Sequence, residues 1–272
     1  MALLHWGVVS GRFRVEEPEP TDGVVDVAAA LNRTIAAARL ASELATHEVP
    51  VMILKGAPVQ QRLLGSESAY PSADIDLLIH QRHGRFARSL LEADGWCFLP
   101  ENGMLWRIDQ AAAYERRGVV IDLHWGLHTG ALLSWTMRPL ERALWEGAQR
   151  VESGWWEPRP EPLIVYLCLH AAAFGFSKPA GLRLVAGAAP LVEDWGAVEG
   201  LSRRLGAWPT VSHALDRARE DATGSRPPLL VGARGRLVWG IGMALRGRPL
   251  PGPARRPVDA VRRWRTARRG GG

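Results

Sequence analysis

MILKGAPVQQRLLGSESAYPSADIDLLIH, residues 52–80, places a lysine directly before a glycine and, further on, two aspartates separated by one isoleucine. Three elements follow from it in order. The run VPVMILK is short, apolar and bounded by Pro50 and Gly56, the pattern of a buried strand. GAPVQQRLL opens on glycine and carries Pro58 early, where a missing N–H is tolerated, so a helix is expected to start right after that strand. GSESAYPSA reads as a loop and DIDLLIH as a second strand. Residues two apart on a strand share a face, so Asp74 and Asp76 project together while Ile75 and Leu77 turn to the core.

Two carboxylates held that close repel each other, and the natural counterweight is a divalent cation; hard oxygen ligands favour Mg²⁺ or Mn²⁺. Asp122, in VVIDLHW, offers a third carboxylate flanked by branched apolar residues that suit a neighbouring strand, which makes a two-metal site conceivable. At Lys55 and Gly56, the strand-to-helix turn supplies the complementary half. Unpaired N–H groups at a helix start suit phosphate oxygens, glycine permits close backbone approach, and the ammonium offers a compact positive charge. Lys55 and Lys178 are the two lysines in a chain with 32 arginines. His124 lies two residues beyond Asp122 and so shares its face, either to touch phosphate, acceptor or metal or to serve as a hydrogen-bonded structural histidine.

With 272 residues, 47% hydrophobic and 23% charged, the chain has the apolar content for a sizeable core. No window approaches the roughly 18 consecutive apolar residues of a membrane helix. The opening MALLHWGVVSGRFRVEEPEP lacks a basic start followed by a long apolar stretch, so a cytoplasmic protein is expected. Cys97 and Cys168 lie far apart without C-x-x-C spacing and are expected to be small buried hydrophobes. The formal charge of +6 is unevenly placed: residues 246–272 hold nine arginines against Asp259, a net of +8, which leaves 6 − 8 = −2 for residues 1–245. That Pro-, Gly- and Arg-rich tail is expected to be disordered, with nucleic-acid contact limited to weak counterion release through it.

Outward from the deciding stretch, residues 24–47 read as a helix, with Val27, Leu31, Ile35 and Leu40 near helical spacing. RHGRFARSLLEADGW reads as another, ending at Gly95, followed by strand candidates CFLP and MLWRI and the β-branched GVVIDLHW. EPLIVYLCLHAAAF, GLRLVAGAAPLVEDW and AVEGLSRRL all read as helices. An α/β first half is thus followed by a helical layer. His170 is expected as a core or interface residue, Lys178 as a solvated loop cation, and Trp155 and Trp156 as core packing.

Strand, glycine turn, helix, loop, D-x-D strand and later aspartate strand, in that order, resemble the polymerase β-type nucleotidyltransferase superfamily. More narrowly, the chain resembles the branch of uncharacterised nucleotidyltransferases, whose members carry an LLKG turn, a DIDLLV strand, a vDLHW strand, and a helical second half with an LH helix and a DW helix start. Here those motifs read ILKG at 53–56, DIDLLI at 74–79, IDLHW at 121–125, LCLHAA at 167–172 and EDW at 193–195. The likeness covers residues 24–218.

The resemblance implies an α+β nucleotidyltransferase fold: a small mixed sheet with flanking helices in a catalytic domain at 24–135, then a helical acceptor-side domain at 136–245. An extension at 1–23 and the basic tail at 246–272 would flank them. It also implies Mg²⁺ or Mn²⁺ as cofactor, a nucleoside triphosphate as co-substrate, and a small-molecule or peptide acceptor. The expected reaction moves a nucleoside monophosphate to an acceptor hydroxyl and releases pyrophosphate. Carried over by position, Asp74 and Asp76 would hold the metals, and Asp122 would complete the second metal site and help deprotonate the attacking group. Lys55, Gly56, Ala57 and His124 would lie against the nucleotide. Three positions depart from the pattern: Gly56-Ala57 stands where Gly-Ser is usual, Tyr70 where relatives carry arginine, and Gly187 near where a second-half helix commonly holds an acid. A catalytically degenerate accessory or binding protein of the same fold, and a nucleic-acid-associated protein acting through its basic tail, are the competing expectations. In an active enzyme, Asp74→Asn or Asp76→Asn is expected to abolish nucleotide and metal binding without loss of folding, since each relieves repulsion between close acids.

Overall fold

β1 (Val51–Ile53) and β2 (Asp74–Ile79) form where the β-branched and leucine-rich runs predict them, with α2 (Ala57–Leu64) between. The computed structural model describes residues 27–67, 69, 74–99, 110–127, 131–173, 176 and 179–222. The expected extension at 1–23, the tail at 246–272, Tyr70, Lys178 and the candidate strand MLWRI at 104–108 lie outside the described residues. α1 (Val27–Thr46) precedes β1; α3 (Gly84–Ala93), β3 (Cys97–Leu99), β4 (Ala111–Arg116) and β5 (Val119–His124) follow β2. α4 (Ala131–Trp145), the two-residue strands β6 (Gln149–Arg150) and β7 (Trp156–Glu157), and α5 (Pro160–Ala173), α6 (Pro179–Ala188), α7 (Trp195–Arg204) and α8 (Trp208–Ala222) complete the order.

The seven strands make one mixed sheet in the order β3-β4-β5-β2-β1-β7-β6, which puts β2 in the middle. β2 runs parallel to β5 and antiparallel to β1, with Asp76 beside Asp122 and Leu78 beside His124. β5 alternates as a strand with one covered face should: Val119, Ile121 and Leu123 are buried, while Val120, Asp122 and His124 are half-buried. On β2 the alternation fails. Ile75 and Leu77 are buried as expected, but Asp76 and Leu78 on the opposite face are buried too. A central strand covered on both sides has no solvent face.

α1 packs on β1, β5 and α2, yet its buried face is Ala30, Ala37, Leu40, Ala41 and Leu44. Of the residues that mark the helix in the sequence, Leu40 is buried, while Val27, Leu31 and Ile35 point outward. Alanines let the helix axis approach the sheet closely, which the longer stripe would prevent. In the helical half, α5 is buried nearly all round and contacts α4, α6, α7 and α8. GLRLVAGAAPLVEDW is two elements rather than one helix: α6 ends, Ala189–Leu191 forms a 3₁₀ turn around Pro190, and α7 starts on Asp194, whose carboxylate accepts from the Ala197 N–H at 2.9 Å. Glu161 on α5 accepts from the N–H groups of Glu193 and Asp194 at 3.3 and 3.4 Å, so the EDW motif serves helix capping here.

A Cβ added at Gly187 would sit 2.7 Å from the Leu63 carbonyl oxygen and 2.6 Å from the Leu64 side chain, because α6 crosses α2 at that point. Gly187, near where the resemblance would put an acid, is therefore a packing contact with no room for one. Trp155 is buried and Trp156 packs on the core, as expected of both. Cys168 is buried, but Cys97 is exposed at the start of edge strand β3, contrary to the expectation for it. Among the described residues no helix is long and apolar enough to cross a membrane.

Candidate active site

Two carboxylates, a lysine and a histidine meet on one face of β2 and β5. The register that pairs Asp76 with Asp122 on adjacent parallel strands sets their side chains next to each other, and His124, two residues along β5, falls on the same face. One ligand atom from each of Asp76, Asp122 and His124 lies within 4.8 Å of the others. Asp74, at the first position of β2, is half-buried and stands outside that trio; its negative charge acts on Lys55 and Tyr166.

β1 delivers Lys55. Its backbone ends beside β2, where the Leu54 N–H donates to the Asp76 carbonyl at 2.9 Å. The Lys55 ammonium Nζ then reaches Asp76 Oδ2 at 2.8 Å, and His124 Nε2 lies 3.3 Å from Asp76 Oδ1. Burial opposes the charged form of Asp76, but Lys55, the His124 contact and the charge of His170 outweigh it and hold the carboxyl well below its usual range. Burial likewise opposes the charged Lys55, yet Asp76 and Asp74 hold its pKa above the usual lysine value. For His124, burial is overcome by the Asp76 contact and by the charges of Asp76 and Asp122, so its pKa is raised.

Gly56 closes the turn with φ of 102°, a conformation that L side chains rarely adopt. A Cβ there would meet the Asp74 carbonyl oxygen and the Ile75 Cα, each at 3.2 Å, so glycine lets the turn lie against the D-x-D strand. Ala57 opens α2 with its methyl buried and brings no hydroxyl to the turn.

Two further residues come from α5. Tyr166 is buried, and burial together with the charges of Asp76, Asp74 and Asp122 pushes its phenol pKa up. His170, expected as a core or interface residue, lies one turn later, half-buried, and its charge acts on Asp76. Their rings lie 6.0 Å apart between centroids. Tyr166 escaped the sequence reading, although its i, i+4 spacing to His170 puts both on one face of the helix and was the signal available.

Oxygen, oxygen and imidazole nitrogen form a donor set that suits a divalent cation, with imidazole tolerated by Mn²⁺ as well as by later metals. The Asp76 carboxylate is buried between Lys55 and His124, and with Asp122 and His124 it offers ligand atoms within 4.8 Å of one another, so the chemistry of the trio fits an ion.

No curated protein matches the sequence. Among solved structures, the chain is similar to the solution structure of the antibiotic-resistance factor ANT(2'')-Ia, at 14% identity, TM-score 0.39, over 72% of this chain and 95% of that one. It is also similar to the crystal structure of an antigenic nucleotidyltransferase-like protein from Paracoccidioides brasiliensis, at 20% identity, TM-score 0.40, over 68% of this chain and 91% of that one. The family model for uncharacterised nucleotidyltransferases matches residues 25–220, spanning the glycine turn, both aspartate strands, α5 to α7 and most of α8, and the chain belongs to that family.

Proposed function

We propose that this chain transfers a nucleoside monophosphate from a nucleoside triphosphate to a hydroxyl of a small-molecule or peptide acceptor, in a reaction dependent on Mg²⁺ or Mn²⁺. The observation that carries this reading is the in-register pairing of Asp76 with Asp122 on adjacent parallel strands, with His124 completing a trio of ligand atoms within 4.8 Å. Asp76, Asp122 and His124 would hold a divalent ion, with Asp74 adding negative charge at the rim. When bound, such an ion supplies positive charge to the attacking and leaving oxygens of phosphoryl transfer. Asp122 takes the hydroxyl proton as the acceptor oxygen bonds to the α-phosphorus. The bond from that phosphorus to the bridging oxygen breaks, and pyrophosphate leaves. Lys55 and the backbone of the Gly56-Ala57 turn face the phosphates, and Tyr166 and His170 on α5 border the acceptor side.

The test is to incubate the purified chain with each nucleoside triphosphate, Mg²⁺ or Mn²⁺, and a panel of hydroxyl acceptors, following both pyrophosphate and acceptor mass. Acceptor gaining one nucleotide mass per pyrophosphate supports the reading, and Asp122→Asn is expected to remove both signals. Metal-independent nucleotide binding with no pyrophosphate from any pairing would favour an accessory role instead.

A further inference from the structure

Both oxygens of the Asp76 carboxylate are already engaged. The Lys55 ammonium holds Oδ2 at 2.8 Å and the His124 imidazole lies 3.3 Å from Oδ1. Only 16% of the Lys55 side chain and 6% of the Asp76 side chain are exposed, so neither charge has bulk water to fall back on. An ion that takes Asp76 as a ligand must displace one of these contacts, and a cation competes most directly with a cation. Lysine is suited to yield: its ammonium sits on a flexible four-carbon stem with three donors and no fixed fork, unlike arginine. It also directly precedes the Gly56 turn at the start of α2.

We propose that Lys55 is the resident counterion of this site and makes it selective for a divalent ion that arrives together with a triphosphate. The inference rests on the metal-dependent reading above. A free ion that displaces Lys55 from Asp76 strands an ammonium in a poorly solvated place, which works against binding. An ion carried by a triphosphate brings new oxygens for that ammonium, so the displaced charge is paired again. Lys55 thereby couples the two ligands, and by linkage each strengthens the other's binding by the same factor. The lone lysine among arginines in this part of the chain has a physical reason: a guanidinium locked bidentate on Asp76 would not let go.

Mn²⁺ binding, read by the loss of the free-ion electron paramagnetic resonance signal, tests this with and without a non-hydrolysable nucleoside triphosphate analogue. Lys55→Met is expected to bind free Mn²⁺ about tenfold or more tightly than the unaltered chain, within the usual 5–150-fold span of such couplings. With the analogue present, the advantage is expected to vanish or reverse, because the variant has no ammonium to offer the phosphates. Lys55→Gln, which keeps a donor toward Asp76 while removing the charge, serves if Lys55→Met does not fold and is expected to behave alike. Lys55→Arg is expected to keep free-ion binding weak. Free Mn²⁺ affinity unchanged in both neutral variants, while the unaltered chain binds Mn²⁺ with the analogue, overturns the role of Lys55 alone. Mn²⁺ binding by the neutral variants but by the unaltered chain under neither condition makes Lys55 a fixed plug and also overturns it. Absence of Mn²⁺ binding in every protein and condition overturns the metal-dependent reading as well.

Discussion

Asp76 and Lys55 neutralise each other behind 6% and 16% of their side-chain surface, which changes what substitution at Asp76 reports. If repulsion between Asp74 and Asp76 dominated, Asp76→Asn would be harmless to folding. With the ammonium 2.8 Å away, the same change leaves a buried positive charge without its counterpart. Asp76→Asn is therefore expected to lower stability by about 3 kcal/mol, at the low end for a broken buried pair because Asp74 still acts on Lys55. Asp122→Asn, which leaves the ion pair intact, is expected to cost less in the same urea titration, and it is the cleaner probe of chemistry. The pH dependence separates the two further. Asp76 is held below its ordinary value, so its contribution is fully present above the unfolded carboxyl pKa of about 3.9 and is lost as pH falls through the folded value. Lys55 is held above its ordinary value, so its share persists to about pH 10 and is lost only beyond it. Between about pH 5 and pH 2 the unaltered chain is expected to lose stability more steeply than Asp76→Asn, with the curves converging at the acid end. Urea midpoints measured by circular dichroism across that range check it; parallel curves would mean the pair contributes nothing.

Elements whose sequence carries both a hydrophobic run and its punctuation stand where the sequence puts them. β1, α2, β2 and β5 are of this kind, set off by Pro50, Gly56, Gly65 and Gly118. β4 is not: Ala111–Arg116 reads AlaAlaAlaTyrGluArg, with little strand propensity of its own, and becomes a strand because β5 pairs along one edge and β3 along the other. α4 carries Pro139 inside it, and α8 opens on TrpPro with few long apolar residues, so neither announced itself. The site divides the same way. That Asp74 and Asp76 share a face follows from strand geometry, but the register matching Asp76 to Asp122 is a long-range pairing between strands about 45 residues apart, and no local pattern encodes it. The turn between β1 and α2 is where element and site join. Gly56→Ala would force a side chain into φ of 102° and press a methyl to 3.2 Å from the backbone of Asp74 and Ile75. A cost of about 2 kcal/mol is expected from the strained dihedral and the crowding together. Because the crowded atoms belong to the D-x-D strand, nucleotide affinity is expected to fall alongside stability. Thermal melts paired with calorimetric titration of a triphosphate analogue would show both, and an intact affinity would disconnect the turn from the site.

At the scale of the molecule, the division into a catalytic domain at 24–135 and a helical domain at 136–245 meets a core that does not stop at the boundary. One cluster of buried apolar side chains takes in Leu44 of α1, Ile75, Leu78 and Ile121 of the sheet, and Leu163, Leu184 and Leu201 of the helical half. Arg62 on α2 ties across by donating to the Pro158 carbonyl at 3.0 Å and pairing with Glu157 on β7 at 3.4 Å. Leu78 lies on the same strand face as Asp76 and is fully buried, so that face of the sheet needs a cover. A sheet that loses its cover exposes apolar surface worth roughly 25 cal/mol for each Å², enough over a few leucines to cancel the net stability of a small domain. The full chain is accordingly expected to unfold in one transition, with tryptophan fluorescence and far-ultraviolet circular dichroism superimposing across a denaturant series. A fragment spanning 24–135 alone is expected to show no cooperative transition. If that fragment melts cooperatively, or if the two probes of the whole chain separate, the helices form an independent unit that can move against the carboxylates. Acceptor binding would then be expected to close that joint, whereas a single shared core leaves α5, with Tyr166 and His170, fixed over the site from the outset.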